Sequence, residues 1–147
     1  MPPSRRDALL SVGGLGTTLL SGCNGIFGRK SRLSLTLLNF DDERHYLGLE
    51  LLEADASEYD EAVALNEEFE LPPDDGESVG SVEKPDLLES RKYLVRASLA
   101  DVESVRDTYH FYPDCRGDGD QDELYVEIHR PDDGDDEPYV GFQQNRC

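Results

Sequence analysis

The chain is poor in tryptophan, lysine and apolar residues. Its 147 residues include no tryptophan and three lysines, and 37% of them are hydrophobic. This length and apolar share allow one modest core and exclude a second domain. Only 14 basic residues oppose 33 acidic ones, so the formal net charge is -19. We therefore exclude nucleic acids and anionic membrane surfaces as direct partners, because both would be repelled.

The chain also lacks an apolar run long enough to cross a membrane. The longest candidate, residues 8–20, would reach about 20 Å as a helix, against a hydrocarbon core of about 30 Å. Arg5 and Arg6 precede this run. A basic pair followed by a short apolar run resembles a twin-arginine export signal, here without the aromatic residue that usually follows the arginines.

A four-residue motif ends this segment, namely Leu20, Ser21, Gly22 and Cys23. It resembles the lipobox of lipoprotein signals, in which small residues admit a peptidase and the cysteine thiol accepts the lipid. The resemblance implies a signal peptide over residues 1–22, a lipidated Cys23 with a tether over residues 23–31, and a domain over residues 32–147. It places the domain on the extracytoplasmic face of the cell membrane, anchored through a lipid on Cys23.

The acidity is spread through the domain, from Asp41 to Glu137, and is not confined to a tail. An acidic, lysine-poor composition of this kind resembles proteins of extreme halophiles, haloarchaea above all. Charge repulsion reaches about 10 Å in 0.1 M salt but only about 3 Å in 1 M salt. The resemblance therefore implies a domain that is stable in molar salt.

Apolar and polar residues alternate with period two along much of the domain, which is typical of strands with one buried face. The apolar members of these sets are Leu33, Leu35 and Leu37; Leu47, Leu49 and Leu51; Tyr93, Val95, Ala97 and Leu99; Val105, Tyr109 and Phe111; Leu124, Val126 and Ile128; and Val140 and Phe142. Turn clusters separate the sets. The pattern predicts an all-β fold, an antiparallel immunoglobulin-like sandwich of about seven strands.

One segment, residues 57–71, fits two structures. Tyr59, Val63, Phe69 and other apolar residues match a strand, but Tyr59, Ala62 and Phe69 also share a helix face. We favour a strand, because the neighbouring segments are strands and a Pro-Pro turn follows.

Two cysteines remain once Cys23 carries a lipid, and a pair in an exported chain is normally bridged. We expect a Cys115–Cys147 disulfide. Two unlinked thiols, or two metal ligands, are the alternatives.

Three aspartates at alternate positions, Asp118, Asp120 and Asp122, are candidate cation ligands, since hard cations bind several oxygens. The EF-hand pattern fails, because Glu123 takes the place of its glycine and His129 that of its final glutamate. An irregular cation site and a solvated hairpin turn are both compatible with the sequence.

Two other patterns point to chemistry. Residues 76–80 match the G-x-S-x-G pattern of serine hydrolases around Ser78, but that motif needs a strand before it and a helix after it. His110 and His129 lie on the polar faces of consecutive predicted strands and would bind zinc or copper if those strands were adjacent. Outward-facing histidines and a loop serine are the simpler interpretation.

The order of strands, the acidic turn, the late Cys115 and the terminal Cys147 resemble small haloarchaeal surface lipoproteins, a family of mostly unassigned function. This resemblance implies fold and location, not activity. Without a catalytic constellation in the sequence, we expect a non-enzymatic interaction or structural domain of the cell envelope, without a cofactor and with an envelope protein as its partner. The alternative is a lipoprotein that binds a cation or small solute.

Overall fold

The computed structural model describes residues 30–117, 119–132 and 136–147. These residues form eight strands and one short helix. The elements are β1 (Arg32–Asn39), β2 (His45–Glu53), α1 (Tyr59–Ala62), β3 (Val63–Leu71), β4 (Gly80–Glu89), β5 (Tyr93–Leu99), β6 (Arg106–Phe111), β7 (Asp122–His129) and β8 (Tyr139–Gln144). The export signal with Arg5 and Arg6, the lipobox and Cys23 lie outside the described residues.

The strands form two four-stranded sheets in the orders β4-β1-β7-β8 and β3-β2-β5-β6. The predicted all-β sandwich is confirmed, with eight strands in place of about seven. Its strand order differs from that of immunoglobulin domains, in which the first two strands share a sheet. Here β1 and β2 lie in opposite sheets, and β1 pairs in parallel with β7.

The core lies between the sheets and consists of the residues that alternation predicted. The inward leucines of β1 and β2 are each at most 1% exposed, as are Val95, Leu124, Val126 and Ile128. Burying one such side chain contributes about 1.5–3 kcal/mol. The period-two pattern therefore identifies the main stabilising contacts of the domain.

Residues 57–71, which fitted both a strand and a helix in the sequence, contain one of each. The strand that we favoured is confirmed from Val63 to Leu71, and the residues before it form the single turn α1. Two acidic residues in its first turn, Asp60 and Glu61, suit the positive end of a helix. Ala62 ends the turn and is buried.

Strand β4 was not predicted, because it alternates poorly and contains Pro85. It pairs with β1 through an irregular register between Leu33 and Leu35. Asp86 has a φ of 50° at this irregularity, and the Arg32 side chain donates to its carbonyl oxygen at 2.7 Å. A proline is tolerated there because β4 is an edge strand.

The sandwich has two ends, which we call the N-terminal pole and the distal pole. Strand β1 begins at the N-terminal pole beside the start of β7, and the Ser31 hydroxyl there donates to the Cys115 carbonyl oxygen. Strand β1 ends at the distal pole, where β2 and β8 begin and β7 ends. The start of β1 and the distal pole are therefore at opposite ends of the domain.

Candidate functional site

A buried ion-pair network lies at the distal pole, around Asp41 in the turn between β1 and β2. The Asp41 carboxylate is 1% exposed and accepts two hydrogen bonds from Arg130, from Nε and Nη2, each at 2.8 Å. Its Oδ2 atom also lies 2.6 Å from His45 Nε2. Burial alone would raise the pKa of Asp41, but the bonds from Arg130 and His45 outweigh it and lower the pKa from 3.8 to about 2.

His45 connects this network to a second carboxylate. Its Nδ1 atom lies 2.7 Å from Asp101 Oδ2, and its ring is 1% exposed. Each ring nitrogen thus contacts a carboxylate oxygen. We assign His45 a structural role, because it joins the β1–β2 turn to the segment that follows β5.

Asn39 fixes the turns around this network. Its side-chain amide donates to the carbonyl oxygens of Glu43 (2.8 Å) and Pro72 (2.9 Å), and its oxygen accepts the Asp41 backbone N–H. The Pro72 carbonyl lies so close to Gly80 that any side chain at position 80 would collide with it. Asn39 therefore holds the β1–β2 turn against the segment that follows β3.

Three rings form a stack on the outer face of the first sheet at this pole. His129 at the end of β7 lies between Phe40 (centroids 4.8 Å apart) and Tyr139 (5.3 Å), and the interplanar angles are 6° and 22°. Phe40 is 39% exposed and Tyr139 is 51% exposed. His129 therefore has a ring on each of its faces, and the two outer rings are the exposed members of the stack.

Acidic side chains surround the stack. Glu43 contacts Arg130 at 3.1 Å yet keeps 68% of its side chain exposed, and Asp42 beside it is exposed. Glu127 accepts hydrogen bonds from Gln143 and lies 2.9 Å from His129 Nε2. The distal pole thus presents exposed apolar rings within an anionic rim.

The cation candidates are only partly described. Asp118 lies outside the described residues, and Asp120 is exposed in a turn. Asp122 is fully buried: its carboxylate accepts the backbone N–H groups of Asp114 and Cys115 and the Ser90 hydroxyl. In the described part of the chain, no group of three or more His, Cys, Asp or Glu side chains is placed to hold a metal ion.

Asp122 instead positions the loop that carries the disulfide. Cys115 and Cys147 are bonded to each other, with Cα atoms 5.0 Å apart, as the sequence predicted. The bridge holds Cys147 against the N-terminal pole, where β1 and β7 begin.

The structure does not form the other two candidate sites. His110 is on β6 and His129 on β7, and these strands belong to different sheets. The prediction that the two histidines lie on adjacent strands is therefore wrong. Ser78 lies in the loop between β3 and β4, not between a strand and a helix, and its hydroxyl donates to Asp75. The nucleophile-elbow geometry is therefore absent at Ser78.

No helix in the described ranges is long and apolar enough to cross a membrane. The chain matches no known protein-family model, and no curated protein is significantly similar to it.

Proposed function

We propose that this chain is a lipid-anchored, non-enzymatic domain of a halophilic cell envelope, and that it contacts a protein partner through its distal pole. One observation carries the proposal: the exposed Phe40–His129–Tyr139 stack lies at the end of the sandwich opposite the start of β1. A domain anchored through Cys23 would present that end away from the membrane.

The chemistry of the distal pole suits a protein interface. Exposed aromatic side chains supply much of the binding energy at interfaces, and surfaces that are already rigid lose less entropy on binding. Phe40 is held by its backbone bond to Ile128, and the Asp41 network holds the adjacent turn. The acidic rim favours a partner that surrounds an apolar pocket with basic side chains.

The anchor is tested by intact mass spectrometry of the membrane fraction, comparing the wild type with Cys23→Ser. We expect the wild-type chain to begin at Cys23 with added lipid mass, because the lipobox directs cleavage and lipid transfer to that thiol. The Cys23→Ser chain should carry no lipid and leave the membrane fraction. A wild-type chain that retains residues 1–22, or that lacks lipid, would refute the anchor.

The interaction surface is tested by photocrosslinking in intact cells, with p-benzoylphenylalanine in place of Tyr139. The matched control is the same replacement at Tyr112, which is 56% exposed but lies near the N-terminal pole. We expect a discrete crosslinked protein with the Tyr139 probe and none with the Tyr112 probe. Adding Phe40→Ser should weaken the crosslink, because it removes the neighbouring ring. Equal crosslinking by both probes, or none by the Tyr139 probe, would contradict the proposed surface.

A further inference from the structure

Each sheet has two edge strands, and they differ in how well they are protected against pairing with another chain. Natural edges are usually protected by charges, proline or bulges. The β3 edge has the exposed residues Glu67, Glu68 and Glu70, and the β6 edge has Arg106 and Asp107. The β4 edge combines Lys84, Pro85 and Asp86 with an irregular register.

Strand β8 has none of these protections. Its residues, Tyr139–Gln144, include no charge and no proline, and its register with β7 is regular. It is the only uncharged strand among the described residues of a chain whose net charge is -19. Unprotected edges of this kind are where a further strand can pair.

The direction of the free backbone groups follows from the ladder between β7 and β8. The Asn145 N–H donates to the Glu123 carbonyl oxygen. Bonded and non-bonded residues alternate in antiparallel pairs, so the groups of Tyr139, Gly141 and Gln143 face β7. Those of Val140, Phe142 and Gln144 therefore point away from the sheet.

We propose that β8 pairs antiparallel with β8 of a second copy of this chain, which joins two β4-β1-β7-β8 sheets into one. The distribution of charge favours a second copy of this chain at the β8 edge. Two copies repel each other over most of their anionic surfaces, but β8 against β8 places no like charges opposite one another. A symmetric pair also uses the same edge on both copies, as twofold interfaces do.

The register that pairs all three outward residues of β8 with those of the second copy places Phe142 opposite its own counterpart. Gly141 then lies opposite Gln143 of the second copy on the outer face, and its lack of a side chain leaves room for that glutamine. On the inner face, the Phe142 ring is stacked on Tyr109 of β6 with centroids 5.4 Å apart. This contact fixes the ring beside the interface before pairing. The proposal does not depend on lipid attachment or on the distal pole.

The test is sedimentation equilibrium of the full-length chain with Cys23→Ser, in molar KCl, compared with the same chain carrying Gly141→Lys and Gln143→Lys. A side chain at position 141 would meet only ordinary contacts with His129, and a lysine in place of Gln143 can still donate to Glu127. The register places each new lysine opposite another, and like charges directly opposite weaken pairing. We expect a reversible dimer whose Kd rises about tenfold in the double variant.

The matched control adds two lysines at the same spacing to the β3 edge, as Asn66→Lys with Glu68→Lys. Its Kd should not rise, and circular dichroism should show that both double variants are folded. Hydrogen exchange supplies a second measurement: the amides of Val140 and Phe142 should become slower to exchange as protein concentration rises. A chain that stays monomeric, or a dimer that withstands the β8 lysines, would overturn the proposal.

Discussion

We expect the Arg130→Met variant to lose about 3–5 kcal/mol of its free energy of unfolding, because the change leaves a buried carboxylate without its cation. Asp41 is 1% exposed and accepts two charge-assisted bonds from Arg130. Methionine retains much of the apolar volume of arginine but donates no hydrogen bond. Urea unfolding in molar KCl measures the loss.

The matched control for this variant is Arg44→Met. Arg44 also pairs with a carboxylate, that of Glu70, at 2.7 Å, but the two side chains are 56% and 54% exposed. Exposed pairs contribute about 0–1 kcal/mol, so this change should cost little. Equal losses in the two variants would show that the Asp41 network does not stabilise the fold.

The pH dependence of the free energy of unfolding, compared between the wild type and Arg130→Met, gives an independent check. The folded-state pKa of Asp41 is lowered from 3.8 to about 2, so its contribution of roughly 2 kcal/mol is present above pH 4 and is lost as the pH falls towards 2. In Arg130→Met the burial of Asp41 remains while the main cause of the lowering is gone. The difference in stability between wild type and variant should therefore shrink as the pH falls below 4.

Removing the disulfide should have an effect of similar size. The Cys115→Ser, Cys147→Ser double variant frees a loop with a sequence separation of 32, which costs about 3–4 kcal/mol in the chain-entropy model. The reduced wild type should unfold at the same urea concentration as the double variant. Cys23→Ser alone should unfold at the same concentration as the oxidised wild type. If the oxidised wild type and the double variant unfold at the same urea concentration, the bridge does not stabilise the domain.

Local alternation predicted most of the strands but could not predict how they are arranged. Strand β1 follows from its own side chains, whereas Val63–Leu71 was favoured as a strand because of the neighbouring strands and the Pro-Pro turn after it. Strand β4 is a strand mainly because it pairs with β1, about 50 residues away in sequence, and its own residues carry only a weak pattern. The parallel pairing of β1 with β7 likewise depends on contacts between distant segments, for which a single sequence contains no local signal.

The buried polar residues were missed, although the sequence contained a signal for them. Asn39, His45 and Asp122 each extend the apolar alternation of a strand by one step, beyond Leu37, before Leu47 and before Leu124 respectively. Their positions in the period-two alternation therefore place all three on the buried face. A buried polar residue requires hydrogen-bond partners. The identity of those partners could not be predicted, because Arg130 and Asp101 reach the site from other strand ends.

The position of β1 determines how the domain would respond to mechanical load. This strand is the first in the chain and is paired on both sides, with β4 and β7. If the start of β1 were held and a partner pulled on the distal pole, the force would act along β1. It would load the hydrogen bonds to β4, which are perpendicular to the strand, and those to β7, which are evenly spaced but slanted. The bonds would then share the load and fail together in shear, not one at a time by peeling, so the domain would resist unfolding at the strand that bears the force.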